Sequence, residues 1–222
     1  MRTISCLTAC FLIIAAGPAM ARAEVIPIGQ TDDFNEVGTL ENWGGGATRT
    51  NIASGGPDGS RYLRISPGGQ GKVGAYNLSQ WAGDYVTAGI TGVAMDVKND
   101  GPQTVELRLL FLRGFDEYAA INPLVLPAGS GWQHYVFGLS AGDLTRVAGT
   151  NSLSYVLGNV ARLLLHHDPN PPDSTGGASP VVNATVGIDN ITAVPEPATW
   201  LLLAIAGLCL LGHARRPSGP AR

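Results

Sequence analysis

The stretch GVAMDVKNDGPQTVELRLLF, residues Gly92 to Phe111, decides the fold class of this chain. Apolar side chains alternate with other residues from 93 to 98 and again from 105 to 111. Alternation with a period of two is typical of strands that bury one face. The Asn-Asp-Gly turn at 99–101 separates the two runs, and such a turn between alternating runs predicts a β-hairpin.

The same alternation continues outward on both sides. It recurs at Tyr62–Ser66, Trp132–Phe137, Arg162–His166 and Val186–Ile191, with turn signals rich in Gly, Pro and Asp between the runs. Trp132 begins one of these runs and is assigned to the core. Short helical connections are predicted at Ser140–Val147, with Ser140 as the N-cap, and at Ser154–Val160. Many short strands with one apolar face predict an all-β fold, an antiparallel β-sandwich of jelly-roll type.

The N-terminal residues have the pattern of a secretory signal peptide. Arg2 precedes the apolar stretch Leu7–Ala16, and Ala21-Arg22-Ala23 is a small-x-small cleavage site. Residues 1–23 are therefore predicted to be removed on export, so that the mature chain begins at Glu24. The alternative is an uncleaved anchor, although the apolar stretch is short for a membrane span.

The C-terminal residues 198–212 carry no charge and are predicted to form a short transmembrane helix. A helix of this length reaches about 22 Å, less than the ~30 Å hydrocarbon core of a bilayer. Arg215 and Arg216 follow it and would stay in the cytoplasm. The alternatives are a helix buried in the core and a plain anchor that is never cut.

The order of these C-terminal features resembles a known sorting signal. Pro195-Glu196-Pro197, an apolar segment and a basic cluster at Arg215-Arg216 resemble the PEP-CTERM signal, which here covers residues 194–222. The resemblance implies processing by an exosortase, a membrane enzyme. It also implies an exported protein, anchored in the inner membrane before processing and then located at the cell surface or in the extracellular matrix.

Between the two ends, residues 24–193 are predicted to form one domain. It has sixteen acidic and nine basic side chains, and this formal net charge of −7 argues against nucleic acid or anionic lipid as a partner. All three cysteines, Cys6, Cys10 and Cys209, lie outside it. A disulfide, a thiol nucleophile and a cysteine metal site are therefore excluded.

A second, more diffuse resemblance covers this domain. Its parts are Asp32-Asp33-Phe34 leading to Trp43, then Gly83-Asp84-Tyr85 followed by Gly92-Val93-Ala94-Met95-Asp96-Val97, then Gly131-Trp132-Gln133 and the closing Gly187-Ile188-Asp189-Asn190-Ile191. Together they resemble the jelly-roll domains of exported bacterial proteins and are similar to carbohydrate-binding modules. The resemblance implies a fold more than an activity.

Two kinds of binding site are predicted. Asp32, Asp33 and Asp189 lie on strands that often neighbour each other in sandwiches, and jelly-roll binding modules often carry a structural calcium there. Asp189 alternatively accepts hydrogen bonds from nearby backbone N–H groups. Trp81, Tyr85 and Trp43 stand beside polar or glycine-rich sequence and are candidates for stacking on sugar rings; alternatively, Trp43 and Trp81 are core residues beneath loops.

No catalytic motif is recognisable, so the domain is predicted to be non-catalytic. His166-His167-Asp168 is the one cluster of metal-ligand type, and a surface loop is the preferred interpretation of it. Two functions remain: a module that binds exopolysaccharide in the envelope or biofilm matrix, and a structural matrix protein without a small ligand. A glycan-active enzyme is a less favoured third.

Overall fold

The computed structural model of the chain describes residues 23–170 and 180–196. Thirteen strands and one short helix make up this part. They are β1 (Thr31–Asp32), β2 (Trp43–Gly44), β3 (Thr48–Ile52), β4 (Tyr62–Ser66), β5 (Gly74–Asn77), β6 (Ile90–Asn99), β7 (Val105–Arg113), β8 (Asp116–Ala120), β9 (Leu124–Leu126), β10 (Gln133–Gly138), β11 (Leu144–Ala148), α1 (Leu153–Leu157), β12 (Arg162–His167) and β13 (Val186–Pro195).

The strands form two antiparallel sheets, so the predicted all-β sandwich of jelly-roll type is confirmed. The six-stranded sheet has the order β10-β6-β13-β4-β3, with β1 also pairing with β13. The seven-stranded sheet has the order β11-β8-β7-β12-β5-β2, with β9 also pairing with β7. Side chains from the facing surfaces of both sheets meet in one continuous hydrophobic core.

Residues Asn99–Gly101 connect strands of different sheets, so the predicted hairpin is wrong. β6 pairs with β10 and β13, whereas β7 pairs with β12, β8 and β9. The buried Asn99 side chain holds the crossing by donating to the carbonyl oxygens of Gln103, Leu126 and Pro127 at 2.8–3.2 Å. A Cβ atom on Gly101 would lie 2.4 Å from the Ala184 Cα, so only glycine fits.

Two further local predictions are corrected. Residues 144–148 form strand β11 rather than a helix, because Leu144 and Thr145 pair with Ala120 and Ala119 of β8. Trp132 is only partly buried and lies on the outward face of the six-stranded sheet. Its ring meets Tyr62 edge-on at 5.3 Å, and the Lys98 Nζ is 5.2 Å from its centroid.

The last strand continues to Pro195, beyond the predicted domain boundary at Ala193. Pro195 is buried opposite Ile90 of β6, and the backbone N–H of Glu196 donates to the Gly89 carbonyl oxygen at 3.0 Å. The predicted signal peptide, 1–23, lies almost wholly outside the described residues, and the predicted helix, 198–212, lies entirely outside them. Within the described ranges, no helix has the length and apolar character needed to cross a bilayer.

A chain that ends at Ala193 is therefore expected to be less stable than one that ends at Glu196. The shorter chain, Glu24–Ala193, loses the buried Pro195 side chain and the Glu196–Gly89 hydrogen bond. Together these contacts are worth about 2 kcal/mol. Urea denaturation of the two fragments measures the difference, and equal unfolding free energies would show that the last residues of β13 add nothing.

Candidate functional site

The outward face of the seven-stranded sheet presents a row of side chains in register. Tyr76 of β5 stands opposite Leu164 of β12, which stands opposite Leu110 of β7, and Leu110 pairs with Ala119 of β8. Leu110 and Ala119 are fully buried, whereas Tyr76 and Leu164 are only partly buried. The face is therefore closed over β7 and β8 and accessible at β5 and β12.

A cavity of about 360 Å³ lies at the accessible part of this face. Its size falls in the usual range for small-molecule sites, about 300–1,000 Å³. The lining residues come from β5, β12 and two glycine-rich loops, and they are Gly45, Gly46, Ala47, Gly68, Gly69, Gln70, Lys72, Val73, Gly74, Ala75, Tyr76, Leu164 and His166. We call this cavity the Tyr76 cleft.

Glycines bring the walls of the Tyr76 cleft together. A Cβ atom on Gly68 would lie 2.0 Å from the Gly46 carbonyl oxygen, so the two loops touch through their backbones. A Cβ atom on Gly44 would lie 3.0 Å from the ring of Tyr76. The tyrosine ring can therefore lie directly against the backbone of β2, at one wall of the cleft.

Tyr76 is the aromatic side chain of the cleft, and a cation lies beside it. The guanidinium carbon of Arg162 is 5.7 Å from the centroid of the Tyr76 ring, within cation–π range. Tyr76 was not among the predicted site residues, because Gly74–Asn77 was not predicted to be a strand. No apolar alternation marks these four residues in the sequence. In the structure Ala75 and Asn77 are buried, and Tyr76 between them points the other way.

The predicted sugar platform is wrong. Trp81 and Tyr85 have no exposed surface, Trp43 is 2% exposed, and all three belong to the main core. A sugar ring cannot stack on a side chain with no accessible face. The alternative interpretation, in which Trp43 and Trp81 are core residues beneath loops, is the one the structure confirms.

Asp32 holds these two tryptophans in place. Its Oδ2 atom accepts hydrogen bonds from the indole N–H groups of Trp43 and Trp81, both at 2.7 Å, and from the Gln80 amide at 3.0 Å. Burial raises the pKa of Asp32, and the three donors act in the opposite direction by stabilising the charged form. This carboxylate therefore has a structural role beneath the surface.

Acidic groups surround Asp32 at this edge of the sandwich. Burial, and next the repulsion from Asp32, raises the pKa of Glu41 to about 7, and Asp33 and Asp189 add to the repulsion. Burial raises the pKa of Asp189 to about 6. The Oε1 atom of Glu41 accepts from the Phe34 N–H at 2.9 Å, whereas its buried Oε2 atom has no hydrogen-bond partner within residues 23–170 and 180–196.

The three predicted calcium ligands lie in this acidic cluster but do not share one point. Asp189 accepts from Ser60 Oγ at 3.1 Å, and Asp33 accepts from the Asn35 N–H at 3.0 Å. In the described part of the chain, no three His, Cys, Asp or Glu side chains are arranged to hold a metal ion. Three carbonyl oxygens of residues 34–39 instead converge on the Asn51 side-chain nitrogen at 2.8–3.1 Å.

The His166-His167-Asp168 cluster is not a surface loop. Both histidines belong to β12, and all three residues are buried. His166 lines the Tyr76 cleft, while His167 Nδ1 accepts from the Glu106 N–H at 3.0 Å on the other face of the strand. Asp168 Oδ2 lies 3.4 Å from Arg108 Nε. Successive strand residues point to opposite faces, so the two imidazoles are directed apart.

Comparison with known proteins confirms the sorting motif. Residues 193–216 match the PEP-CTERM protein-sorting motif, which includes the predicted Pro195, Glu196, Pro197, Arg215 and Arg216. Of these, Pro195 and Glu196 are placed on or beside β13, and the other three lie outside the described residues. The sequence matches none of the curated proteins.

Solved structures share the fold. An exo-β-agarase matches with a TM-score of 0.54 and 16% identity over 77% of this chain, and a second agarase with 0.52 and 11% over 75%. The matched parts are 25% and 24% of those chains, so this chain spans about a quarter of either agarase. A family 11 carbohydrate-binding module from Clostridium thermocellum, in complex with a β-1,3-1,4-mixed-linked tetrasaccharide, has a TM-score of 0.48 and 16% identity, with coverages of 76% and 96%.

The acidic cluster predicts an unusual dependence of stability on pH. Folding raises the pKa values of Glu41 and Asp189 from their ordinary values of 4.5 and 3.8, so both carboxyl groups bind a proton more tightly in the folded state than in the unfolded state. Their contribution to stability is therefore complete at low pH and is lost as the pH rises to about 7. With a chelator present, the unfolding free energy is expected to fall between pH 4.5 and 7.

Glu41→Gln is expected to flatten most of this slope, because the amide cannot ionise. Glu36→Gln, an exposed change on the same loop, is the control and should keep the slope. Chemical denaturation at a series of pH values measures both variants. A Glu41→Gln profile that matches the parent would mean that the acidic cluster does not control the pH dependence.

Proposed function

We propose that this protein is an exported component of the cell envelope or extracellular matrix whose domain binds polysaccharide, without catalysis, in the Tyr76 cleft. The observation that carries the proposal is the combination of a partly exposed tyrosine, a neighbouring arginine and a cavity on the outward face of a sheet.

The chemistry of the cleft suits a sugar. The apolar face of a pyranose packs its C–H groups against an aromatic ring, and its hydroxyl groups need donors and acceptors nearby. Tyr76 supplies the ring, while Gln70, Lys72 and Arg162 supply polar groups beside it. Backbone groups of the glycine-rich walls add further hydrogen-bonding positions, because glycine leaves them accessible.

The cleft favours binding over hydrolysis. Glycoside hydrolysis generally uses two carboxyl groups on either side of the scissile bond. Among the described residues, those that line the cleft include neither Asp nor Glu. A glycan held there would therefore meet no acid–base pair from these walls.

Tyr76→Ala tests the binding site. The variant is expected to lose at least tenfold in affinity for the polysaccharide that retards the parent in affinity electrophoresis, because the stacking surface is gone. Tyr155→Ala removes an exposed tyrosine on α1, away from the cleft, and should bind as the parent does. Thermal unfolding of both variants checks that the fold is intact.

The second function is a structural matrix protein without a small ligand. It predicts that neither the parent nor Tyr76→Ala is retarded by any of a panel of acidic and neutral polysaccharides. That outcome would contradict the proposed binding site while leaving the sorting signal and the fold unaffected.

The sorting signal defines the proposed route of this domain. We propose that residues 1–23 direct export and that residues 198–212 hold the chain in the inner membrane until an exosortase processes it. Release or transfer would then place the domain at the cell surface or in the extracellular matrix. The matched PEP-CTERM motif supports this route.

Structural calcium at the acidic cluster is the remaining part of the proposal. Glu41, Asp33 and Asp189 carry carboxylate oxygens, the donor type that Ca²⁺ prefers, and because they do not share one point they would have to move together as the ion binds. Among the described residues the Oε2 atom of Glu41 has no hydrogen-bond partner, and the raised pKa values mean that negative charge on this cluster is unfavourable. A bound cation would neutralise this charge and strengthen the edge formed by β1 and β13.

Millimolar calcium is therefore expected to raise the melting temperature by several degrees relative to a chelator. A ligand at a hundredfold excess over its Kd adds about 2.7 kcal/mol to the folded state. Asp189→Ala should abolish the increase, whereas Asp58→Ala, an exposed change on a neighbouring turn, should retain it. Identical melting curves of the parent in calcium and in chelator would refute the site.

A further inference from the structure

The folded domain and the apolar C-terminal segment are separated by almost no chain. Glu196 is held to the domain through its N–H bond to Gly89, and Pro195 is buried before it. The uncharged segment 198–212 begins two residues later. Consecutive Cα atoms are 3.8 Å apart, so the step from Glu196 to Ala198 reaches at most about 8 Å in any conformation.

So short a connection limits how far the domain can lie from a bilayer. If the uncharged segment enters a bilayer, the end of the sandwich at Glu196 lies within about 8 Å of the point of entry. There is no room for a hydrated gap of the kind that a long linker allows. This end of the domain, which we call the exit end, must therefore meet the bilayer surface.

The exit end exposes large apolar side chains. Val86 is 52% exposed and lines a groove of about 480 Å³ together with Glu196 and the first residues of α1. Tyr155 of α1 is 45% exposed. Phe115, at the tip of the β7–β8 turn, is 93% exposed.

Hydrogen bonds connect the Phe115 turn to the rest of the exit end. The Asp116 Oδ1 atom accepts from the N–H groups of Thr150 and Asn151, both at 2.9 Å, directly before α1. The Tyr85 N–H in turn donates to the carbonyl oxygen of Leu157, the last residue of α1, at 2.9 Å. The turn, α1 and the Val86 loop are therefore connected in one surface, with the end of β13 beside them.

We propose that the exit end is a membrane-contact surface, in which Phe115, Val86 and Tyr155 enter the interfacial region of a phospholipid bilayer while the chain is anchored. The proposal rests on the membrane retention described under Proposed function. Aromatic side chains favour the interface, and the exposed Arg113 beside Phe115 suits the headgroup level. The net charge of −7 of residues 24–193 makes apolar contact, rather than attraction to anionic lipid, the driving interaction.

A fluorescent probe at the exit end tests the contact. Single cysteines replace Phe115 or Val86 in the full chain with Cys6, Cys10 and Cys209 changed to Ala, and each is labelled with nitrobenzoxadiazole. Val181→Cys is the matched control, because Val181 is 74% exposed and lies at the opposite end, where the N–H of the neighbouring Val182 donates to the Gly71 carbonyl oxygen. The labelled chains are reconstituted into phosphatidylcholine vesicles and recovered by flotation.

Probes at 115 and 86 are expected to show at least a twofold gain in emission and a shift to shorter wavelength, while the probe at 181 stays as in water. Leu202→Arg, which interrupts the uncharged segment, should abolish flotation and the gain together. Floating vesicles with equal spectra at 115, 86 and 181 would overturn this proposal alone.

Two further outcomes count against it. A parent chain that does not float would refute both the membrane retention and the contact. A signal at 115 and 86 that appears only when a processing enzyme shares the vesicle would assign the surface to that protein instead of to lipid.

Discussion

The hydrogen bonds of the Asp32 carboxylate hold together the edge of the sandwich where β1, β2 and β13 lie. It lies on β1, which pairs with β13 of the six-stranded sheet, and it binds the indole of Trp43 on β2 of the seven-stranded sheet. The same oxygen binds the indole of Trp81, whose carbonyl oxygen accepts from the Tyr85 hydroxyl at 2.9 Å. A buried charge is costly unless it is hydrogen-bonded, and three donors on one oxygen meet that requirement. The interaction therefore joins both sheets and the long segment before β6.

Much of the fold could be predicted because apolar and polar residues alternate within short segments of the sequence. The apolar residues of 93–98 and 186–191 indicate strands with one buried face, and this prediction does not require knowing which strands pair with them. The pairing of those strands was harder, because β6 finds its partners far along the chain at β10 and β13. A turn of favourable composition therefore suggested a hairpin where the chain crosses between sheets, and residues 144–148 were assigned to a helix although β8 makes them a strand.

The candidate site was less predictable, for the same physical reason. Trp81 lies in a polar sequence interrupted by glycine, which predicts an exposed side chain. It is instead buried with its indole N–H donating to Asp32, 49 residues away in sequence. Tyr76 sits in a four-residue strand, too short for alternation to be noticed. Its importance comes from Gly44, whose missing side chain makes room for the ring, and from Arg162 on a strand much later in sequence. The sorting motif was recognisable because all its parts are contiguous.

The position of β13 also determines how the domain would respond to tension. Any pull on the C-terminal segment enters the protein at Glu196 and passes into a strand of ten residues that lies between β6 and β4. If the pull is along the strand axis, the hydrogen bonds between β13 and β6 are loaded in shear. They must then break together instead of one at a time. A strand at the edge of a sheet would be held by hydrogen bonds on one side only. Here the C-terminal segment continues from an interior strand, which suits a domain that would stay folded under a pull on that segment.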